Sequence, residues 1–313
     1  MECNHSEQLD LRRSLPPQVR DIVCRVIHCR NEDISDVEPV KFGITNRSFS
    51  FRVRDERFIL RIPGEGTSSL IDRHQEAEVY SAIFPYRLCD APLYLNPDDG
   101  IKISRFLPRV RVCNPNEDSD LRVCMKRLRD FHRLALHVGH TFDLYERIEF
   151  YERLRHSVPS SYSDYAETKR GVLSLKPWLE DNREPFCLAH IDSVCDNFLF
   201  VSDATGGESV QLTDWEYAGM QDPHVDLAMF CIYSLFTKER SDDLMDTYFE
   251  GKCPPRIRAK IYAYMAVCGL LWSNWCEYKR TFGITFGSYA DGQYRYAKEF
   301  VRHFADMKRE ALA

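Results

Sequence analysis

The stretch Leu188-Ala189-His190-Ile191-Asp192-Ser193-Val194-Cys195-Asp196-Asn197 decides how this chain is interpreted. It places an acid at Asp192, an amide five residues later at Asn197, and a second acid, Asp214, 17 residues beyond that amide. Phosphoryl transfer from ATP needs one carboxylate to orient a hydroxyl and accept its proton, and further oxygen ligands to hold metal ions on the phosphates. Carboxylate and amide oxygens suit Mg²⁺. The spacing favours this chemistry, although the same residues are also common in caps and turns.

Short strands surround these residues. Asn197–Val201 and Val210–Thr213 are apolar, and the loop between them contains two glycines, which predicts a hairpin. Earlier in the chain, Phe49, Phe51 and Val53 alternate with polar residues, the pattern of a half-buried strand. A second strand is expected at Phe58–Ile62, ended by the breaker pair Pro63-Gly64.

The rest of the chain has helical patterning. An apolar stripe with steps of three or four residues predicts a helix over Asp118–Val138. Further helices are expected at Pro17–Cys29, at Ser69–Ile83, at Leu144–His156, and from Asp222 onward. Strands first and helices later favour an α+β chain over an alternating β/α fold. We place the domain boundary so that residues 1–103 form a strand-rich lobe and residues 104–313 a mainly helical lobe.

Length and charge exclude several classes of protein. A chain of 313 residues predicts two domains. The net charge of −6 argues against a nucleic-acid partner, which usually needs a basic face. The longest apolar stretch, Ile261–Trp272, is too short for the roughly 20 residues that a bilayer requires. The polar N-terminus lacks an apolar signal region, so we expect a cytoplasmic protein without membrane insertion. The oligomeric state stays open.

Metal and disulfide chemistry have little support in the sequence. The 12 cysteines include no Cys-x-x-Cys pair, and most are interpreted as small buried apolar residues. The histidines His132, His137 and His140 do not share one face of a helix, so we reject a zinc site there.

The set of motifs resembles the choline/ethanolamine kinase and aminoglycoside phosphotransferase families, and it is closest to bacterial choline kinases. His190-x-Asp192-x-x-x-x-Asn197 matches their catalytic loop, and Asp214-Trp215-Glu216-Tyr217-Ala218-Gly219 is similar to the choline kinase metal segment. Ile191 departs from the family pattern, which usually has Asn. The resemblance implies an α+β, two-lobed, protein-kinase-like fold, with a small antiparallel-sheet N-lobe and a larger, mainly helical C-lobe. Asp192 is then the catalytic base, and Asn197 and Asp214 are the Mg²⁺ ligands.

The N-terminal half continues the resemblance and implies a nucleotide site. Residues 42–49 are similar to the phosphate loop, which implies that Thr45 and Asn46 lie near phosphate. Phe58–Gly64 looks like the strand that carries the ATP-contacting cation, here Arg61. The helix that follows supplies its acidic partner. We expect Glu76 to be this partner, and the helical pattern leaves Glu78 as an alternative.

The resemblance also implies a substrate pocket. Aromatic faces attract quaternary ammonium groups, and Trp272, Trp275 and Tyr278 recur at helical spacing. The alternative is that these aromatic residues are core. The candidates for substrate contact are Glu216, Tyr217, Trp272, Trp275 and Tyr289.

The activity that the resemblance implies is ATP-dependent phosphorylation of the hydroxyl of choline, a small-molecule substrate. Two alternatives stay open. The first is a kinase of ethanolamine, another amino alcohol or an aminoglycoside, and the second is a non-catalytic nucleotide-binding regulator. A protein kinase is disfavoured, because the chain has no Ala-Pro-Glu segment after Asp214.

Overall fold

The computed structural model describes residues 15–42, 46–64, 70–89, 92–156, 158–203 and 205–312. Contacts divide the chain into two compact units. The first unit takes residues up to Val110 together with Val201–Glu216, and the second takes Arg111–Phe200 and residues from Tyr217 onward.

The first unit contains α1 (Pro17–Ile27), β1 (Ile34–Phe42), β2 (Asn46–Val53), β3 (Glu56–Pro63), α2 (Arg73–Ile83), β4 (Pro92–Leu95), β5 (Lys102–Arg105) and β9 (Glu208–Leu212). The strands β6 (Val110–Val112) and β8 (Phe198–Ser202) cross the division. The second unit contains α3 (Asp118–Arg133), α4 (Leu144–Leu154), α5 (Tyr165–Leu173), α6 (Lys176–Asn182), β7 (Cys187–Ala189), β10 (Gly219–Gln221), α7 (His224–Tyr233), α8 (Lys238–Tyr248), α9 (Pro255–Arg280) and α10 (Ser288–Leu312).

The division differs from the expected one at residue 103. The first unit continues to Val110 and also takes back the segment 201–216. Backbone hydrogen bonds explain why residues 201–216 belong to the first unit. Leu212 N donates to Leu88 O at 2.9 Å, and Ser202 N donates to Arg109 O at 3.2 Å. A sequence pattern does not show such long-range pairing, so a boundary drawn by position alone missed it.

An antiparallel sheet in the order β1-β2-β3-β5-β4 forms the centre of the first unit. Phe49 lies opposite Leu60 and Phe51 opposite Phe58, so the alternating apolar side chains of β2 and β3 share one face. Helix α1 covers that face with Val19 and Val23. Helix α1 therefore completes a core.

The other face of this sheet is polar and is also buried. Arg61, directly after Leu60 in β3, is only 4% exposed. On the same face Lys102 Nζ donates to Tyr80 Oη of α2 at 2.8 Å. A strand residue that points away from the apolar core would ordinarily meet solvent, but here α2 supplies the partners.

Helix α9 is the central element of the second unit. It is buried on nearly every side along 26 residues, which includes the apolar stretch Ile261–Trp272. Helices α10, α4 and α7 pack around it. None of the helices in the described ranges is long and apolar enough to cross a bilayer.

Helix α3 ends at Arg133, five residues before the end expected from its apolar stripe. Ala135 has a left-handed backbone, with φ of +48°. The chain then runs in extended form, and Leu136 O accepts from Leu188 N at 2.8 Å while His140 O accepts from Met220 N at 2.9 Å. Backbone pairing with β7 and β10 therefore replaces the last helical turn.

Other sequence predictions agree with the observed elements. The strands β2, β3, β8 and β9 lie where expected, within three residues at each end. Asp203 closes the turn before β9, since its backbone N–H donates to Gly207 O at 2.8 Å. Of the cysteines in the described ranges, all are free thiols and most are buried.

Replacing Leu60 by Ala should lower the free energy of unfolding by about 2–5 kcal/mol, because the side chain is fully buried and the change leaves a cavity. Denaturant unfolding measures this change. Val40→Ala is the control in the same sheet, since Val40 is 52% exposed, and its effect should stay within about 0.5 kcal/mol. Equal effects of the two substitutions would contradict this account of the core.

Candidate active site

Strands β7 and β10 fix the start of the segment that carries Asp192. They pair antiparallel, with Ala189 opposite Gly219. The loop begins immediately after Ala189 and ends in a short 3₁₀ turn at Cys195–Asn197. Both ends of the loop are therefore fixed by backbone hydrogen bonds of regular structure.

Asp226, in the first turn of α7, braces this loop from beneath. Its fully buried carboxylate accepts hydrogen bonds from the backbone N–H groups of His190, at 2.9 Å, and Ile191, at 2.7 Å. Ser193 Oγ donates to Asp226 O at 2.6 Å. His132 Nε2 lies 2.9 Å from the same carboxylate. An ionised acceptor makes these bonds stronger than neutral ones, so the loop conformation is tightly determined.

Ile191 has a left-handed backbone, with φ of +68°. This region is unfavourable for a β-branched residue, whereas Asn tolerates it well. The departure from the family pattern at this position therefore has a structural cost. The two hydrogen bonds to Asp226 from residues 190 and 191 offset that cost, and strain of this kind is often found at functional loops.

Asp192 and Asn197 face each other across the loop. The amide nitrogen of Asn197 donates to the backbone oxygen of Asp192 at 2.8 Å and to its Oδ2 at 3.0 Å. The amide is thus oriented, with its nitrogen turned to Asp192. The spacing of five residues in the sequence corresponds to a direct contact.

Arg61 and Glu76 form a bidentate ion pair in the first unit. Arg61 Nη2 donates to Glu76 Oε2 at 2.8 Å, and Nη1 donates to Oε1. A third bond runs from Arg61 Nη2 to Gly100 O at 3.1 Å. The structure thereby places Glu76, and not Glu78, against Arg61. Burial alone would raise the pKa of the Glu76 carboxyl, but Arg61 and Arg73 outweigh burial and lower it.

Glu216 extends this pair into a larger cluster. Its Oε2 accepts from Asn46 Nδ2 at 2.8 Å and from Arg73 Nη1 at 3.0 Å. Burial raises the pKa of the Glu216 carboxyl, and so does the charge of Asp214, while Arg61 and Arg73 act in the opposite direction. Asp214 itself has a left-handed backbone, with φ of +66°.

A line of aromatic rings connects four candidate substrate residues in the second unit. Tyr217 meets Trp272 edge-on at 5.8 Å, and Trp272 meets Trp275 edge-on at 5.7 Å. Phe286 then links Trp275, at 5.0 Å, to Tyr289, at 6.4 Å. Edge-to-face and tilted rings of this kind are favourable and leave ring faces for other contacts.

This line reaches the catalytic loop through Tyr233. The Tyr233 ring lies 5.8 Å from Tyr289, and its hydroxyl donates to Asp196 Oδ2 at 2.8 Å. Burial, together with the charges of Cys276 and Asp192, raises the pKa of the Tyr289 phenol. The aromatic line therefore meets the loop that carries Asp192 at Asp196.

The candidates from the sequence thus fall into three groups. Asp192 joins Asn197, the aromatic candidates join one another, and Arg61 and Glu76 join Asn46 and Glu216. Thr45 lies outside the described residues. Sequence reasoning missed Arg73, Tyr233 and Phe286. Of these, Arg73 had a usable signal, because it precedes Glu76 by three residues and so shares a helical face with it.

A model of the choline/ethanolamine kinase family matches residues 37–242. The chain belongs to the choline/ethanolamine kinase family. Protein LicA of Haemophilus influenzae is 27% identical over 260 residues, which cover 79% of this chain and 75% of LicA.

Solved structures show the same fold. Choline kinase LicA from Streptococcus pneumoniae has a TM-score of 0.78 at 23% identity and covers 96% of this chain and all of its own. A LicA structure in complex with AMP has a TM-score of 0.76 at 24% identity, with 92% and 100% coverage. This family member therefore has the expected α+β, protein-kinase-like fold, and it is a phosphotransferase.

Asp226→Asn should lower kcat about 10- to 100-fold, because an amide offers an N–H group where the loop needs an acceptor, and small misplacements of a catalytic group are costly. Release of ADP from MgATP measures kcat, and the KM for ATP should change less. Asp243→Asn is the matched control, since Asp243 is an exposed acid of α8. A kcat of Asp226→Asn within twofold of the wild type would contradict the bracing role.

Proposed function

We propose that this kinase transfers the γ-phosphoryl group of ATP to the hydroxyl of choline and releases phosphocholine and ADP. The observation that supports the proposal is the aromatic line, which reaches the loop of Asp192 through the hydrogen bond from Tyr233 to Asp196. A quaternary ammonium cannot donate hydrogen bonds, and aromatic faces are the surface that holds it best. Because the co-substrate is ATP, the proposal also includes a cytoplasmic location for the reaction.

The residues of the candidate site have the following roles in this proposal. Asp192 orients the hydroxyl of the substrate and takes its proton as the hydroxyl oxygen attacks the γ-phosphorus. The bond between that phosphorus and the β–γ bridging oxygen breaks, and the oxygen leaves with ADP. Arg61, held by Glu76, binds the phosphates of the nucleotide. Catalysis of this type is mainly positioning and electrostatic stabilisation.

The residues present also fit Mg²⁺. Because Asn197 directs its amide nitrogen to Asp192, the carbonyl oxygen is the atom left to face a cation. Within the part of the chain that the structure describes, Asp214 has no hydrogen bond or ion pair, so its oxygens are available. In this proposal Asn197 and Asp214 would each supply an oxygen ligand to Mg²⁺, which would offset the charge of the phosphates.

Asp192→Asn should reduce turnover on choline by about 100-fold or more, because the amide cannot accept the hydroxyl proton, while MgATP binding stays within about threefold. ADP release is measured with choline, ethanolamine and an aminoglycoside as separate substrates. Turnover on choline alone, lost in the variant, is the expected result. Preference for ethanolamine or an aminoglycoside would reject choline as substrate, and unchanged turnover in the variant would reject Asp192 as base.

Trp275→Leu should raise the KM for choline about tenfold, because cation–π contacts contribute about 0.5–2 kcal/mol. The KM of Trp275→Phe for choline should lie between the values of Trp275→Leu and the wild type. The KM for ATP should not change in either variant. Phe282→Leu is the control, since Phe282 is a largely exposed aromatic of the adjacent turn. If both leucine variants shift KM for choline equally, or if neither does, Trp275 does not hold the cation.

A further inference from the structure

Arg73 links three other side chains of the buried cluster of the first unit, and no role was expected for it from the sequence. Its Nη1 donates to Glu76 Oε2 at 2.8 Å and to Glu216 Oε2 at 3.0 Å. Its Nη2 donates to Asn46 Oδ1 at 3.0 Å. One guanidinium thus joins β2, α2 and the segment that follows β9.

These links close a ring of contacts. Asn46 donates to the same Glu216 oxygen that Arg73 contacts, and it accepts from Arg73 through its own oxygen. Glu76 is shared between Arg73 and Arg61. All of these side chains are at most 8% exposed. Water therefore cannot replace a lost partner, and each buried group depends on the others.

The balance of charge also depends on Arg73. The cluster contains two cations, Arg61 and Arg73, and two carboxylates, Glu76 and Glu216. Without Arg73, Arg61 alone would face both carboxylates. Since Arg61 Nη1 lies 3.9 Å from Glu216, the remaining cation would be drawn toward a second carboxylate.

We propose that Arg73 is a positioning residue of the nucleotide site: by joining Asn46, Glu76 and Glu216, it holds the Asp214 segment and Arg61 in the arrangement that binds MgATP. The inference rests on the proposed function for its nucleotide. It also gives Glu216 a different role from the one expected from the sequence, because its Oε2 is taken by Asn46 and Arg73 and serves the cluster.

Lysine is the informative replacement. An ammonium group is a compact point charge, whereas a guanidinium presents a planar fork that serves several acceptors at fixed angles. Arg73→Lys therefore keeps the charge that stabilises the fold but loses the simultaneous contacts to three partners. A residue that only balances charge would tolerate this change, and a positioning residue would not.

The test is equilibrium binding of MgATP, measured by calorimetry on the full chain in the absence of choline, together with the melting temperature. We expect Arg73→Lys to melt within a few degrees of the wild type and to bind MgATP about tenfold or more weakly, the effect of losing charged hydrogen bonds at a buried site. The KM for choline should stay within about twofold. Arg105→Gln is the control, since Arg105 pairs with Glu56 at the surface of the same unit. This variant should leave both the melting temperature and MgATP binding unchanged.

A second variant keeps the inference testable if Arg73→Lys does not fold. Glu216→Gln keeps the size of the side chain and removes the charge that Arg73 contacts, and it should weaken MgATP binding to a similar extent. In the double variant the two losses should not add, because both act through one contact. Additive losses, or MgATP binding by Arg73→Lys within twofold of the wild type, would overturn the inference.

The same measurements separate this inference from the proposed function. If the wild type binds MgATP but does not phosphorylate choline, the choice of choline fails, and weak MgATP binding by Arg73→Lys still supports the role of Arg73. If the wild type phosphorylates choline and Arg73→Lys binds MgATP normally, only the role of Arg73 fails. If the wild type does not bind MgATP, both fail.

Discussion

The carboxylate of Asp226 is the constraint on which the loop that carries Asp192 depends. It is fully buried, and it accepts the backbone N–H groups of two consecutive residues, His190 and Ile191. A buried ionised acceptor is costly unless its hydrogen bonds are satisfied, and here the backbone of the loop supplies them. The same bonds hold Ile191 in a left-handed conformation, which turns the chain so that Asp192 meets Asn197.

Buried charge is compensated in two ways in this protein. Asp226 of the second unit is matched by backbone donors and His132. In the first unit, paired side chains compensate one another, and the bidentate contact of Arg61 with Glu76 is the strongest example. Breaking such a buried pair leaves an uncompensated charge, so these clusters constrain geometry more than they add stability.

The aromatic residues of the line differ in burial, which bears on the two roles that the sequence left open. Trp272 is nearly buried, and its N–H points to the sulfur of Met229 at 3.0 Å, which is the behaviour of a core residue. Trp275 and Tyr289 are only half-buried and continue the same line of rings. Helical spacing alone does not separate these roles, because it reports a shared face and not the depth of each side chain.

The sequence by itself determined the order of strands and helices, and it predicted the pair formed by Arg61 with an acid of the next helix. The catalytic role of the spacing from Asp192 through Asn197 to Asp214 stays a prediction. These features are local, or they follow a fixed spacing, and so they leave a pattern along the chain. Tertiary structure decided the choice of Glu76 over Glu78, the return of residues 201–216 to the first unit, the early end of α3 and the central position of Arg73. Each of these depends on contacts between residues far apart in the chain, where backbone pairing and buried charge outweigh local propensity.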